Sequence, residues 1–235
     1  MMEPLFDTKD RASALLPADA PAGPATPATG PATPTARAEQ RQGKASLSPG
    51  PRVLGLDLSL TSTGLAYADD RGTIAIRAIT TTKQGDTITD QHHRLSRILE
   101  EIWRPIHMGH QPDLVVLEGP SYGSKGAGTW DRGGLWWLVV SHFLTQRIPL
   151  AVVPPALLKK YATGKGGGKD ASKTAVASTA ANRYGRVFAS DDEADAYVLC
   201  AMGLDHLGHP PAPVPQTHRQ ALAKVAWPTA RIETP

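Results

Sequence analysis

An α/β domain with a mixed sheet is the fold class this sequence predicts, and three observations predict it. Two short apolar runs, RVLGLDL at 52–58 and DLVVLE at 113–118, each reach an acid and then turn residues, as buried strands do. Between them Leu95, Ile98, Leu99 and Ile102 recur at three- and four-residue intervals, the mark of an amphipathic helix. The segments before that helix are short and joined by turns. An antiparallel meander linked to parallel strands by helical crossovers accounts for all three.

Taken in order, 52–58 is a strand ending at Asp57, and 59–64 supplies turn chemistry with hydroxyls and a glycine. A strand resumes at 65–67, Asp69, Asp70, Arg71 and Gly72 make a turn, and 73–82 alternates enough for a third strand. A helix starts near Thr89 and stops at Pro105. The strand at 113–118 is closed by Gly119 and Pro120, and a glycine-rich stretch, 122–134, leads into a helix through Trp136, Trp137, Val140 and Leu144. A brief strand at 149–153, a short helix at 156–161 and a loop, TGKGGG, follow. Asp170 caps the next helix, which ends at Gly185, and Ser190 with Glu193 forms a capping box for the last one. The order is β-β-β-α-β-α-β-α-α-α around five strands.

The chain has 235 residues. Residues 1–50 are rich in proline and alanine, include the low-complexity run PAGPATPATGPATP, and are expected to be a disordered tail. Residues 209–235 are again proline-rich and read as a flexible tail, with a transient helix near 220–226. The folded domain is therefore expected over 51–208. A lone Cys200 excludes a disulfide framework. The start of the chain has acids and prolines where a secretory signal has an apolar run. The apolar stretch 135–153 is broken by His142, Gln146, Arg147 and Pro149, which excludes a membrane span. A cytoplasmic setting is the default expectation.

Net charge is +3, but its distribution is uneven. Lys159, Lys160, Lys165, Lys169, Lys173, Arg183 and Arg186 accompany a single acid, Asp170, and the cluster Asp191, Asp192, Glu193 and Asp195 follows at once. A basic patch beside an acidic one suits a protein that holds a polyanion's backbone while cations act on it. A solvated helix face is the plain alternative.

Four acids are the candidate site: Asp57, Glu118, Asp192 and Asp195. Asp57 and Glu118 end apolar strands, where a carboxylate needs a charged or metallic partner, though for Asp57 a turn hydrogen bond after the strand is the plain alternative. Asp191 and Glu193 are explained by the helix macrodipole. Asp192 and Asp195 stand three apart on one helix face, where two like charges cost energy without a cation between them. Asp191 is the reserve for Asp192. Carboxylates gathered this way bind hard divalent cations such as Mg²⁺, and a pair of ions can drive phosphodiester hydrolysis. Lys165, Lys169 and Lys173 are the candidate phosphate contacts. TGKGGGK lacks the spacing of a nucleotide-binding phosphate loop, so no nucleotide cofactor is expected. Trp130, Trp136 and Trp137 are read as core or dimer contacts before base-stacking ones.

The ordered series VLGLDLSLTSTGLA, LVVLEGPSYG, ATGKGGGKDASK and DDEADAYVLCAMG resembles the RuvC-like Holliday junction resolvases of the RNase H-like superfamily. It covers roughly 52–208. The resemblance implies an RNase H-like fold and a homodimer that binds a four-way DNA junction. It implies paired symmetric nicks made with two Mg²⁺ or Mn²⁺ ions per site, leaving a 5′-phosphate. Motif by motif, it makes Asp57, Glu118, Asp192 and Asp195 the metal ligands and catalytic residues. Lys165 and Lys173 match the basic loop, and Tyr122 lies near the family's aromatic wedge, with Lys125 beside it as a further DNA contact. Cellular members have proline and glycine after the first Asp, where this chain has Leu58 and Ser59. That departure points to the divergent members carried by phages and mobile elements.

Two other readings compete. DLSLTSTG at 57–64 loosely fits the first phosphate loop of sugar kinases and actin-like ATPases, but those need two linked domains. A branched-DNA-binding protein that kept the fold without activity is the other.

Overall fold

A computed structural model describes residues 49–120 and 128–229. Apart from Pro49 and Gly50, the expected tail 1–50 lies outside the described residues, as do Tyr122 and Lys125. The described residues belong to one compact unit, Pro49–Pro235.

The elements run β1 (Val53–Asp57), β2 (Ser62–Ala68), β3 (Ile74–Thr80), α1 (Ile88–His107), β4 (Leu114–Glu118), α2 (Thr129–Thr145), β5 (Leu150–Val153), α3 (Pro155–Thr163), α4 (Lys173–Tyr184), α5 (Asp191–His206) and α6 (Gln216–Arg219), with 3₁₀ turns at Lys169–Ala171 and Leu222–Lys224. The five strands lie in the order β3-β2-β1-β4-β5. β1 pairs antiparallel with β2 and parallel with β4, so the sheet is mixed as expected.

Side chains on a strand alternate between faces, and here both faces are buried. Val53, Leu114 and Val116 pack in the cluster formed with α5. Leu54, Leu56, Val115 and Leu117 alternate with them, and α1 and α2 carry further buried apolar residues, among them Ile98, Ile102, Trp103, Leu135, Val139 and Phe143. α5 is buried along nearly its whole length, from Ala194 to Asp205. It lies close against the strands because glycines leave room. A Cβ on Gly55 would sit 2.5 Å from the Cys200 nitrogen, and one on Gly203 would sit 2.7 Å from both Val53 Cγ1 and Val116 Cγ2. A Cβ on Gly64 would overlap the Asp192 carbonyl.

Several boundaries differ from expectation, each for a physical reason. β2 begins at Ser62, because the hydroxyl run read as a turn pairs with β3 from Ser62↔Thr80 onward. α1 passes through Pro105 to His107. Pro105 has no N–H for the Glu101 carbonyl, and Arg77 Nη2 donates to that carbonyl instead at 2.5 Å. The start of α1 is a capping box made by Thr87 and Asp90. α4 is capped by Ser172, not Asp170, whose residue lies in the preceding 3₁₀ turn. Ser190 does cap α5, but Glu193 accepts from the Ala189 N–H rather than from that of Ser190.

The largest difference is at the C-terminus. Residues 209–229 do not stand apart as a loose tail. Ala221 and Val225 are buried, and Trp227 stacks on His206 with ring centroids 4.0 Å apart. Arg219 reaches the buried Asp205 at 2.7 Å. A few apolar side chains and one buried carboxylate that needs a counter-charge hold the segment in place.

Gly64→Ala is expected to destabilise the protein by about 1–3 kcal/mol, since a methyl there must displace the backbone of α5. Gly133→Ala, in the open middle of α2, is expected to stabilise by about 0.5–1 kcal/mol. Urea melts of both variants check the opposite signs.

Candidate active site

Asp57 and Glu118 come next in register after the parallel pair Leu56↔Leu117, at the carboxyl ends of adjacent strands. In open α/β sheets this edge is where ligands bind. Alternation puts Asp57 on the same face as Val53 and Gly55, and Glu118 on the same face as Leu114 and Val116, which is the face covered by α5. The first turns of α5 lie over that edge. Gly64, which pairs with Asp57, is the residue whose Cβ would strike Asp192. The structure therefore brings Asp57, Glu118, Asp192 and Asp195 to one place. Asp57 is 7% exposed and Asp195 8%.

The Asp57 and Glu118 carboxyls lie close enough to act on each other's proton affinity. Burial raises the Asp57 carboxyl above its ordinary range; its interaction with Glu118 opposes this, and the charge of Asp192 adds to it. Burial, with the charge of Asp57 second, pushes Glu118 up to about 9. Burial and the charge of Asp57 push Asp195 up to about 7. The acids are crowded, and their charge is not balanced.

Among the described residues, one cation faces them. Lys173, the first residue of α4, has its Nζ 3.9 Å from Asp192 Oδ1. Burial pulls its ammonium down, but Asp192, Asp57, Asp195 and Asp191 together hold it above its ordinary value. Its side chain is 63% exposed, so the contact is screened and contributes little to stability. Asp192, not its neighbour Asp191, makes the ion pair with this lysine. Lys165 and Lys169 are exposed on the stretch before α4, and among the described residues neither makes an ion pair with the acids.

Oxygen ligands of this type suit a hard divalent cation. The mutual repulsion of the acids is what such an ion relieves. By the chemistry of the donor set the residues fit the ion. As the side chains stand, no group of three or more His, Cys, Asp or Glu among the described residues is close enough together to hold a metal ion.

Other residues at this edge carry less visible sequence signals. Trp136, read as a core or dimer residue, donates its indole N–H to the Glu118 carbonyl at 3.1 Å and ties α2 to the end of β4. Arg94 donates to the Leu60 carbonyl at 2.7 Å and to Thr81 Oγ1 at 3.1 Å, holding the loop that follows Asp57. Nothing in the spacing of α1 marks Arg94. Gly55 and Gly64 did carry a signal, since glycine inside a strand often marks a close backbone approach.

No protein-family model matches the chain, and no curated protein matches it in sequence. Solved structures do. Thermus thermophilus RuvC aligns at 19% identity with a TM-score of 0.51, covering 70% of this chain and 99% of that one. T. thermophilus RuvC in complex with Holliday junction substrate aligns at 17% identity with a TM-score of 0.52 and the same coverage. The fold is the RuvC type of the RNase H-like fold. The RuvC chains are covered almost end to end. Among the described residues no helix is long and apolar enough to cross a membrane.

The raised carboxyls give a pH dependence of defined sign. Asp195 and Glu118 keep their protons in the fold at pH values where the unfolded chain has released them. The folded state then binds more protons, so stability falls as pH rises. The window opens at ordinary carboxyl values and closes near about 7 for Asp195 and about 9 for Glu118. With divalent ions chelated, urea melts are expected to show a loss on the order of a few kcal/mol from about pH 5 to pH 9. Glu118→Gln is expected to flatten the upper part of that curve.

Proposed function

We propose that this protein is a divalent-cation-dependent endonuclease of branched DNA, of the RuvC-like resolvase kind. The observation that carries the reading is the convergence of Asp57, Glu118, Asp192 and Asp195 at one sheet edge, with Lys173 beside them. The fold supports it, since T. thermophilus RuvC, described in complex with Holliday junction substrate, shares that fold.

Asp57, Glu118, Asp192 and Asp195 would hold Mg²⁺ or Mn²⁺, two ions per site. Such ions, when bound, supply an activated water and stabilisation of the leaving 3′-oxygen. The chain's own residues do the rest. Lys173 neutralises a phosphate brought to the acids and balances charge that develops on it during reaction. Lys165 and Lys169 fit contacts with the DNA backbone beyond the cut. Burial of Asp57 and Asp195 keeps bulk water from screening the site.

A homodimer is part of the proposal. Trp130, Trp137, Leu138 and Leu144 of α2 are exposed, Trp130 at 92% and Trp137 at 64%. Trp130, Trp137 and Leu144 recur every seven residues, so they share one side of α2, and exposed large apolar residues so placed support a protein contact. Two sites related by a two-fold axis would make paired symmetric nicks in a four-way junction.

Asp57→Asn is expected to abolish nicking of a labelled four-way junction in Mg²⁺, a loss of at least about 10³-fold, while junction binding in a gel-shift assay persists. Unchanged nicking by this variant would sink the assignment. Flap and linear duplex substrates, run alongside, establish whether branching is required. Trp137→Glu is expected to give a monomer by light scattering and to replace paired nicks with single ones.

A further inference from the structure

The C-terminal segment that the sequence presents as a tail is bound to the end of α3, next to the basic loop. Three contacts show how. Arg219 Nη2 lies 2.7 Å from Asp205 Oδ1 and its Nε donates to Asp205 Oδ2 at 3.1 Å. The same Asp205 oxygen accepts from the Tyr161 hydroxyl at 3.0 Å, so α3, α5 and α6 meet at one buried carboxylate. Arg183 of α4 donates to the Tyr161 and Ala162 carbonyls at 3.0 and 2.7 Å and lies 2.9 Å from His218 Nδ1. The same His218 Nδ1 lies 3.1 Å from the Tyr161 carbonyl, so the ring nitrogen stands between an arginine donor and a backbone acceptor. The far side of the His218 ring rests on Gly164, where a Cβ would sit 2.7 Å from Nε2.

Gly164 has a φ of 80° and is the point at which the chain leaves α3 for the loop carrying Lys165 and Lys169. The other end of that loop is Lys173, whose ammonium faces Asp192. The loop is thus held at one end by the C-terminal segment, and its other end runs into α4, where Ala171 and Val176 are buried. A short loop with both ends fixed samples little space.

We propose that residues 215–227 are a positioning strap that sets the path of the basic loop, with His218 and Arg219 as positioning residues that act through Lys165 and Lys169. The proposal rests on the reading of those lysines as contacts to a DNA backbone. In it, the strap settles before binding where the loop cations stand, so that DNA does not have to order them. Neither residue touches substrate.

The test uses the full chain with His218→Ala, Arg219→Ala and Arg219→Lys. Trypsin cleavage after Lys165 and Lys169, followed by mass spectrometry, reads loop order without any DNA. It is expected to run about tenfold faster in His218→Ala and Arg219→Ala and near the wild-type rate in Arg219→Lys. Should Arg219→Ala fail to fold, His218→Ala, which leaves the Asp205 ion pair in place, carries the same test. Affinity for a four-way junction in Ca²⁺ is then measured for Lys165→Ala, His218→Ala and the double variant. Each single change is expected to weaken binding about fivefold, and the double variant to be little worse than either, because both remove the same contact. Additive losses in the cycle, or an unchanged trypsin rate in His218→Ala, overturn the proposal. If the wild type binds no branched DNA, the nuclease reading fails, and the trypsin rates alone decide whether the strap orders the loop.

Discussion

Every feature of the candidate site depends on how closely α5 approaches the sheet. Packed layers are usually kept apart by their side chains, about 10 Å for stacked sheets. Here the backbone of α5 meets Gly55 and Gly64 directly, and Gly203 of the helix returns the fit against Val53 and Val116. A carboxylate side chain is short. Asp192 and Asp195 can share a site with Asp57 and Glu118 because the two backbones nearly touch.

The same closeness creates the electrostatic problem that defines the site. Burial and repulsion raise the proton affinity of Asp57, Glu118 and Asp195 at one edge, and among the described residues only the ammonium of Lys173 stands against them. A buried polar cluster of this kind costs stability unless a ligand completes it. The fold tolerates the cost because the rest of α5, from Ala196 to Leu204, is uniformly apolar and buried on all sides. Stability is spread over the length of the helix, while the strain is confined to its first turns.

How much was legible in the sequence varies with the range of the interaction concerned. The strands at β1 and β4, the amphipathic α1 and the cap at Ser190 depend on local pattern, and local pattern identified them. The passage of α1 through Pro105 did not follow from local rules, because the carbonyl that the proline leaves unpaired is taken by Arg77 from another strand. The C-terminal segment misread as a tail illustrates the same limit. Its prolines and scarce apolar residues are what a disordered segment has, and its attachment rests on the distant partners Asp205 and His206.

The sequence by itself determined the fold class, the element order, and which acids end strands or begin the last helix, since these follow from period, turn chemistry and residue type. It also contained the motif series that resembles the resolvases. Tertiary structure decided the rest: that Asp57 and Glu118 occupy adjacent strand ends on one face, that glycines let α5 lay Asp192 and Asp195 above them, that Lys173 and not Lys165 or Lys169 faces the acids, and that 215–227 is strapped to α3. The reason is physical. Local rules reach a few residues along the chain, whereas the proton affinity of a carboxyl and the path of a loop depend on whatever the fold places beside them.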